Sequence, residues 1–314
     1  MARNVKVAGF TGKTITTPYE GGMENAVNKM IAHWDKELSY VLSDKPDLIV
    51  LPECCDRFYN FTKPQNLEYY AYRGERIFDF FAEKAKKNNC YIAYSAVWPA
   101  KDGKNRNSVV MINRKGQIEG IYNKYNMTIN EPDNIKGLCG DKAVIFHCDF
   151  GRVGAIICFD LNFRDILNLY KQKNPEIMIF ASAYHGAFMQ NYWAYELRSY
   201  LVSSVGYGCE AGIINPVGMR IASTSNYTSS FVKEINLDYL VAHLDYNYEE
   251  VFEAKKKYGS GFSIFEPKYL GAFLLSSEMD DVTMPQIAKE FSLESIDSYF
   301  QRSMESAKRH REIG

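Results

Sequence analysis

Three residues of this chain, Cys158, Glu53 and Lys124, are of types that together perform acyl transfer. A cysteine thiol has a pKa of about 8.5 and is mostly protonated at neutral pH, so it attacks a carbonyl carbon efficiently only beside a base or a cation. A glutamate accepts and returns a proton, while a lysine ammonium group lowers the pKa of a neighbouring thiol and stabilises a developing oxyanion. The three types suit hydrolysis through a thioester.

Each of these residues lies at the end of a predicted strand. Residues 47–51 form a continuous apolar run of strand length that leads into Glu53, and the run 151–157 ends at Cys158. Lys124 follows the second strand of a predicted hairpin. Because α/β architectures place reactive groups at the carboxyl ends of strands, the positions favour one shared site.

The surrounding pattern predicts two sections that share an order of strand, helix and buried strand. Predicted strands cover residues 5–10, 47–51, 91–98, 108–113, 117–122, 143–148, 151–157, 176–181, 211–214, 220–222 and 231–237. Predicted helices cover residues 23–42, 74–88, 163–171 and 192–205. We therefore expect two sheets packed against each other, each covered by helices on its outer face.

The expected domain organisation is one domain over residues 1–280 and a C-terminal helical extension over residues 281–314. The extension has apolar residues at helical spacing and ends in a basic stretch. We expect it to pack on the domain or on another subunit.

Composition excludes several functional classes. The 314 residues carry a net charge of −1 without a basic block, which argues against a nucleic-acid surface. Seven cysteines occur without a CxxC pair, which disfavours a disulfide framework, a zinc ribbon or a thiol redox protein. The N-terminal sequence lacks the apolar segment of a signal peptide, and no apolar run is long enough for a membrane span. We expect a cytoplasmic protein with reduced thiols.

Three motifs resemble those of the nitrilase superfamily of carbon–nitrogen hydrolases. They are Leu-Pro-Glu at 51–53, Asn-Lys-Tyr at 123–125 and Gly-Arg-Val-Gly-Ala-Ile-Ile-Cys-Phe-Asp at 151–160, in the family's order and at spacings typical of it. The resemblance covers residues 5–245. It implies a catalytic Glu53, Lys124 and Cys158, a four-layer αββα sandwich, homodimers or larger homo-oligomers, and no metal or organic cofactor.

The same resemblance implies a supporting residue and an oxyanion site. Glu131, seven residues after Lys124, matches a second family glutamate that orients the substrate or the lysine. The backbone N–H of Phe159 is expected to receive the oxyanion together with Lys124.

Substrate-binding residues are expected around these groups. His185 falls where the family lines its pocket, and Tyr59 and Tyr184 are candidate aromatic walls. The family often continues after its cysteine motif with Arg-Phe-Pro-Glu, whereas this chain has Asn-Phe-Arg-Asp at 162–165. The substrate of this chain therefore cannot be inferred from family members that match the motif better.

The function predicted from the sequence is an amidohydrolase that cleaves a small amide or N-carbamoyl compound through a cysteine-bound acyl intermediate and releases ammonia. A nitrilase that converts a nitrile to a carboxylic acid uses the same thiol. The alternative from another class is a catalytically silent binding protein on the same fold. The expected partner is a small molecule, without nucleic acid or membrane.

Overall fold

The computed structural model describes residues 2–312. The chain forms two compact units, Val5–Glu234 and a second one made of Met1–Asn4 with Ile235–Gly314, of which residues 2–4 and 235–312 are described. The sequence places the domain boundary at residue 280, whereas the structure places it before Ile235. The reason is that the strands after residue 238 form a sheet with a core of its own.

The elements of both units follow in chain order. The strands are β1 (Asn4–Phe10), β2 (Leu48–Val50), β3 (Tyr91–Pro99), β4 (Asn105–Ile112), β5 (Ile118–Asn123), β6 (Ile145–Cys148), β7 (Gly151–Ile157), β8 (Ile177–Ser182), β9 (Tyr200–Val205), β10 (Gly212–Ile214), β11 (Arg220–Ser223), β12 (Ser230–Asn236), β13 (Tyr239–His243), β14 (Phe262–Phe265) and β15 (Ala272–Ser277). The helices are α1 (Met23–Leu42), α2 (Lys63–Arg73), α3 (Arg76–Asn88), α4 (Glu131–Ile135), α5 (Arg164–Lys171), α6 (Phe188–Leu197), α7 (Tyr248–Tyr258), α8 (Met284–Glu290) and α9 (Ile296–Glu312).

The first sheet has the strand order β12-β1-β2-β3-β4-β5. Strands β1, β2 and β3 run parallel, and β4 and β5 continue antiparallel. Helices α1 and α3 cover it through Trp34, Leu38 and Phe81, which share a core with Ile49 of β2. The apolar stripe of α1 recurs every three to four residues, and the predicted helix over 23–42 is confirmed.

The second sheet has the order β11-β10-β9-β8-β7-β6, with β7, β8 and β9 parallel. The predicted helix over 192–205 is wrong in its second half. Helix α6 ends at Leu197, Arg198 takes a left-handed φ of 52°, and Tyr200–Val205 is the strand β9. Every residue of β9 is buried between its neighbours β8 and β10, so sheet pairing prevails over helical spacing.

The two sheets face each other within the unit Val5–Glu234. The Phe10 N–H donates to Ser204 Oγ at 3.2 Å, and Ser204 Oγ lies 2.8 Å from Phe10 O, so the ends of β1 and β9 are tied together. With helices on the outer faces, this is the expected mixed α/β sandwich of two sheets. The fold prediction is confirmed.

Helix α2 is not predicted from the sequence, because it has no continuous apolar stripe. Its start is marked by a capping box between Thr62 and Gln65. At its end the buried Arg73 places Nε 2.9 Å from Asp56 Oδ2 and donates through Nη2 to Val97 O at 2.6 Å. This pair fixes the loop after β2 against β3.

The second unit contains the antiparallel sheet β13-β15-β14 with helices α7, α8 and α9. Its core includes Val251, Phe273 and Ile287. The predicted helical extension over 281–314 corresponds to α8 and α9, and its last two residues lie outside the described residues. None of the helices in residues 2–312 has the length and apolar character that crossing a membrane requires.

Candidate active site

Lys124 stands at the centre of a buried group of charged side chains. Its side chain is 1% exposed, and its Nζ lies 2.8 Å from Glu53 Oε1 and 2.8 Å from Glu131 Oε2. The two carboxylates raise the pKa of Lys124 and outweigh the opposite effect of burial, which is the largest single cause, so the side chain is an ammonium ion.

The backbone that carries Lys124 is held from the side opposite to β4. The Gly140 N–H donates to Lys124 O at 2.8 Å. A Cβ atom at Gly140 would lie 2.3 Å from Asn123 O, so only glycine permits this approach.

Glu53 follows β2 through Leu51 and Pro52, as the sequence predicts. Its Oε1 accepts hydrogen bonds from Lys124 Nζ and from Asn107 Nδ2, both at 2.8 Å. Its Oε2 accepts from the Ala183 N–H at 3.0 Å. Since Ala183 follows β8 of the second sheet, this carboxylate is fixed by groups from both sheets.

Glu131 begins helix α4 and completes the charged group. Beside its contact with Lys124, its Oε2 accepts from the Thr128 N–H at 3.1 Å, and its Oε1 accepts from Asn107 Nδ2 at 2.7 Å. The structure therefore brings Glu131, which the resemblance predicts as a supporting residue, into contact with Lys124, with its side chain mostly buried.

Asn107 belongs to this site and is missed by reasoning from the sequence. It lies on β4, is 2% exposed, and its one amide nitrogen donates to both carboxylates. Its Oδ1 accepts from the Cys54 thiol at 3.7 Å. The signal in the sequence is an asparagine just before the apolar stretch of a predicted strand.

Cys158 begins the turn that follows β7. Its φ of 50° is left-handed, an uncommon conformation that projects the side chain out of the strand direction. Burial, followed by the charge of Glu53, raises the pKa of the Cys158 thiol to about 12. Lys124 acts in the predicted direction by lowering this pKa, but burial prevails, so the resting group is a thiol.

Asp160 fixes the Cys158 turn to the Lys124 segment. Its Oδ2 accepts from the Ile157 N–H at 3.0 Å and from Tyr122 OH at 2.7 Å, and its Oδ1 accepts from the Asn126 N–H at 2.6 Å. Burial raises the pKa of Asp160 to about 6, although all three donors act to lower it. Asp160 thereby spans both sides of the site.

Of the side chains of this site, all except Asp160 open into one cavity of about 220 Å³, which we call the Cys158 cavity. Its lining is Glu53, Cys54, Arg57, Tyr59, Tyr70, Val97, Asn107, Lys124, Thr128, Glu131, Asn134, Ile135, Cys158 and Ala183. Thiol, ammonium group and carboxylates thus face one small space, as acyl transfer requires.

A family model for carbon-nitrogen hydrolases matches residues 20–242. The chain belongs to the carbon-nitrogen hydrolase family. Membership of the nitrilase superfamily, predicted from the sequence motifs, is confirmed.

Three relatives of this carbon-nitrogen hydrolase are 18–27% identical to it. The chain is 27% identical over 161 residues to the fruit fly nitrilase and fragile histidine triad fusion protein NitFhit, covering 48% of this chain and 34% of that protein. Thus it spans about a third of the length of NitFhit. Human omega-amidase NIT2 is 23% identical over 217 residues, which cover 60% of this chain and 76% of that protein. Nit3 from Saccharomyces cerevisiae has a similar structure, with a TM-score of 0.60 at 18% identity, covering 74% of this chain and 90% of Nit3.

Of the four predicted substrate-binding residues of this carbon-nitrogen hydrolase, one lines the Cys158 cavity and three do not. Tyr59 lines the Cys158 cavity, whereas Phe159, Tyr184 and His185 are not part of the lining described above. The ring of Phe159 packs edge-on against Phe163, with centroids 5.1 Å apart. Only the backbone of Phe159 therefore bears on its predicted role.

Tyr184 and His185 lie in the loop after β8. The Tyr184 OH accepts from Asn162 Nδ2 at 3.1 Å, and its ring packs edge-on against Phe180. The Nδ1 atom of His185 accepts from the Ala187 N–H at 3.1 Å, so its ring braces the start of α6. Within residues 2–312, no group of three or more His, Cys, Asp or Glu side chains is arranged to hold a metal ion.

Proposed function

We propose that this carbon-nitrogen hydrolase cleaves the C–N bond of a small amide through a covalent acyl intermediate on Cys158. The observation that carries the proposal is the shared cavity: the Lys124 ammonium group contacts both Glu53 and Glu131, and the Cys158 thiol opens into the same space. Burying a cation between two carboxylates carries a large desolvation penalty and adds little stability, which favours a catalytic role for the group.

Acylation begins with proton transfer, because the resting thiol is protonated. The Glu53 carboxylate takes the Cys158 proton as Sγ forms a bond to the carbonyl carbon. The oxyanion binds the Lys124 ammonium group and the backbone N–H of Phe159. Glu53 then gives its proton to the amide nitrogen, the C–N bond breaks, and ammonia leaves.

Deacylation uses the same groups in reverse order. Glu53 takes a proton from water as the hydroxyl oxygen attacks the thioester carbon. When the C–S bond breaks, the carboxylic acid is released and Cys158 recovers its proton from Glu53. Asn107 and Glu131 keep their positions through both halves: Asn107 donates to both carboxylates, and Glu131 holds Lys124.

Relatives support amides over nitriles as the substrate class. Human NIT2 is named an omega-amidase, and a Dictyostelium discoideum relative is named a deaminated glutathione amidase. A nitrilase remains the second candidate, because the same thiol attacks a nitrile carbon.

The test is ammonia release from a panel of small amides, N-carbamoyl compounds and nitriles. We expect wild type and the control variant Cys209→Ala, which removes a half-buried thiol outside the cavity lining, to react alike. Cys158→Ala should lose roughly 10³-fold or more of the activity. Mass spectrometry of wild type with substrate should detect the acyl group on Cys158.

Two results would overturn the proposal. Ammonia release by Cys158→Ala at the wild-type rate would exclude the thioester. A wild type that binds amides but releases no ammonia from any compound of the panel would indicate a silent binding protein.

A further inference from the structure

The Cys158 cavity adjoins a second space of about 290 Å³, which we call the outer groove. Five residues line both spaces: Arg57, Tyr59, Tyr70, Asn134 and Ile135. Residues that line two spaces form the wall between them. The outer groove therefore lies directly against the cavity that contains the thiol.

Tyr207 lies on the outer side of this wall. It lines the outer groove but not the Cys158 cavity, and it is 48% exposed. Its OH accepts a hydrogen bond from Arg57 Nη2 at 2.9 Å, and its ring packs edge-on against Tyr59 with centroids 4.7 Å apart. The guanidinium carbon of Arg57 lies 4.9 Å from the centroid of the Tyr59 ring. The three side chains thus contact one another, and we call them the Tyr207 cluster.

The Tyr207 cluster joins loops of both sheets, because Tyr207 follows β9 and the other two members follow β2. The backbone on either side of Tyr207 is held by hydrogen bonds. The Gly206 N–H donates to Ser182 O at 2.7 Å, and the Gly208 N–H donates to Gly12 O at 3.1 Å. Tyr207 itself takes a left-handed φ of 56°, a conformation that persists only where the surroundings impose it. With the backbone held, the side chains of the cluster determine how wide the boundary between the two spaces is.

We propose that Tyr207 limits the size of the molecules that reach Cys158 from the outer groove. A small amide fits within the Cys158 cavity of about 220 Å³ and leaves the cluster undisturbed. An amide with a bulky aromatic end occupies both spaces, so it must displace the Tyr207 ring from Tyr59 and its hydroxyl group from Arg57. The limit on substrates rests on the proposed function, whereas the access of a reagent to the thiol does not.

The first experiment measures access to the thiol without turnover. Iodoacetamide and 2-iodo-N-phenylacetamide have the same reacting carbon and differ in bulk. Peptide mass spectrometry follows the alkylation of Cys158 by each reagent, so the other thiols do not contribute. Each rate is divided by the rate of the same reagent with free cysteine, which corrects for intrinsic reactivity. In wild type, the corrected rate should be about 10- to 100-fold lower for the phenyl reagent, because a ring contact and a hydrogen bond must be broken.

Tyr207→Ala should raise the corrected rate of the phenyl reagent about tenfold and leave that of iodoacetamide within about twofold. Tyr207→Phe keeps the ring and loses the hydrogen bond to Arg57, so it should give a smaller increase. Tyr227→Ala is the matched control, since it removes another exposed tyrosine that lines neither space. It should leave both rates unchanged.

The second experiment measures hydrolysis of butanamide and 4-phenylbutanamide. We expect wild type to favour butanamide. Tyr207→Ala should raise kcat/KM for 4-phenylbutanamide relative to butanamide about tenfold. Because the two values are compared within one preparation, a loss of folded protein does not alter their ratio.

The outcomes separate the two proposals. The size limit is wrong if the phenyl reagent alkylates Cys158 of wild type as fast as iodoacetamide does, or if Tyr207→Ala speeds both reagents equally or neither. The amidohydrolase stands in those cases as long as wild type releases ammonia from the panel. If wild type hydrolyses no compound of the panel, the amidohydrolase is wrong, and the alkylation rates still decide the role of Tyr207.

Discussion

Asn107 Nδ2 lies 2.8 Å from Glu53 Oε1, and the same nitrogen lies 2.7 Å from Glu131 Oε1. A single neutral side chain therefore holds the proposed base and the second carboxylate at a fixed separation. Since each buried carboxylate also contacts Lys124, the group has one ammonium ion for two negative charges, and the amide compensates part of the excess.

Asn107→Leu removes both of these hydrogen bonds without adding a charge. We expect kcat/KM to fall about 10- to 100-fold, since hydrogen bonds to charged groups contribute about 1.5–3 kcal/mol. Asn107→Asp should be worse, because it brings a third carboxylate beside two. Steady-state kinetics of both variants test this, with Asn28→Ala, an exposed asparagine of α1, as the control. Activity of Asn107→Leu within twofold of wild type would contradict it.

Lys124→Met leaves Glu53 and Glu131 buried without their cation. We expect the free energy of unfolding to fall by about 3–5 kcal/mol, measured by urea denaturation. Adding Glu131→Gln removes one of the unpaired charges and should recover part of that stability, whereas activity should stay lost because the oxyanion has no ammonium group.

Lys171→Met provides the comparison for this pair of variants. Lys171 pairs with Glu196 at a more exposed position, and its loss should cost less than about 1 kcal/mol. Similar costs for Lys124→Met and Lys171→Met would mean that the buried cation is not coupled to the carboxylates.

Alkylation of Cys158 by iodoacetamide should have a steep dependence on pH. Because burial and Glu53 raise the thiol pKa to about 12, the rate should rise about tenfold per pH unit from pH 7 to pH 10 without a plateau. Glu53→Gln removes both a cause of the raised thiol pKa and the proposed base, so it should abolish turnover whichever of the two effects prevails in the alkylation rate. Lys124→Met should slow alkylation.

These rates are best measured in a variant that also carries Cys139→Ala and Cys209→Ala. Apart from Cys158, these are the accessible thiols of the described chain: Cys139 is exposed and Cys209 is half-buried. A plateau below pH 9 in that background would show that Cys158 is a preformed thiolate. Slower alkylation of Glu53→Gln would show that Glu53 assists the reaction more than its charge opposes it.

Asp160 should make folding stability depend on pH. Burial raises its folded pKa to about 6 from an ordinary value of 3.8, so the folded state binds the proton more tightly than the unfolded chain. The resulting contribution is fully present below about pH 4 and is lost as the pH rises through about 6.

Asp160→Asn removes this titration. Between pH 4 and pH 7, the free energy of unfolding of wild type should fall by about 2.4 kcal/mol relative to the variant. Urea denaturation at several pH values measures the difference. Parallel curves for the two proteins would mean that Asp160 does not titrate in this range.

Long elements with an unbroken period were predictable from the sequence. Helix α1 and strand β7 have the expected bounds, because each has a single apolar pattern. The boundary between α6 and β9 was not predictable from the sequence, because no glycine or proline marks it. Arg198 takes the left-handed conformation at this turn instead. Helix α2 was missed because its capping box has no apolar stripe after it.

The candidate site divides in a similar way. Glu53, Lys124 and Cys158 were predicted because each comes at the end of a predicted strand and because the motifs around them resemble those of the nitrilase superfamily. Asn107 and Arg57 were not, because the first belongs to a strand interior and the second depends on a loop conformation that sequence does not reveal. The catalytic roles, the homo-oligomer and the cytoplasmic location stay predictions.

The groups of the candidate site are divided between two sheets: Glu53 and Lys124 follow strands of one, while Cys158 and Ala183, whose N–H donates to Glu53, follow strands of the other. Turnover therefore reports on how the two sheets pack against each other and not on the integrity of either sheet. Hydrostatic pressure or dilute denaturant should let water enter between the sheets near Phe10 and Ser204. Hydrolysis should then be lost while the far-UV circular dichroism signal of the two sheets is retained.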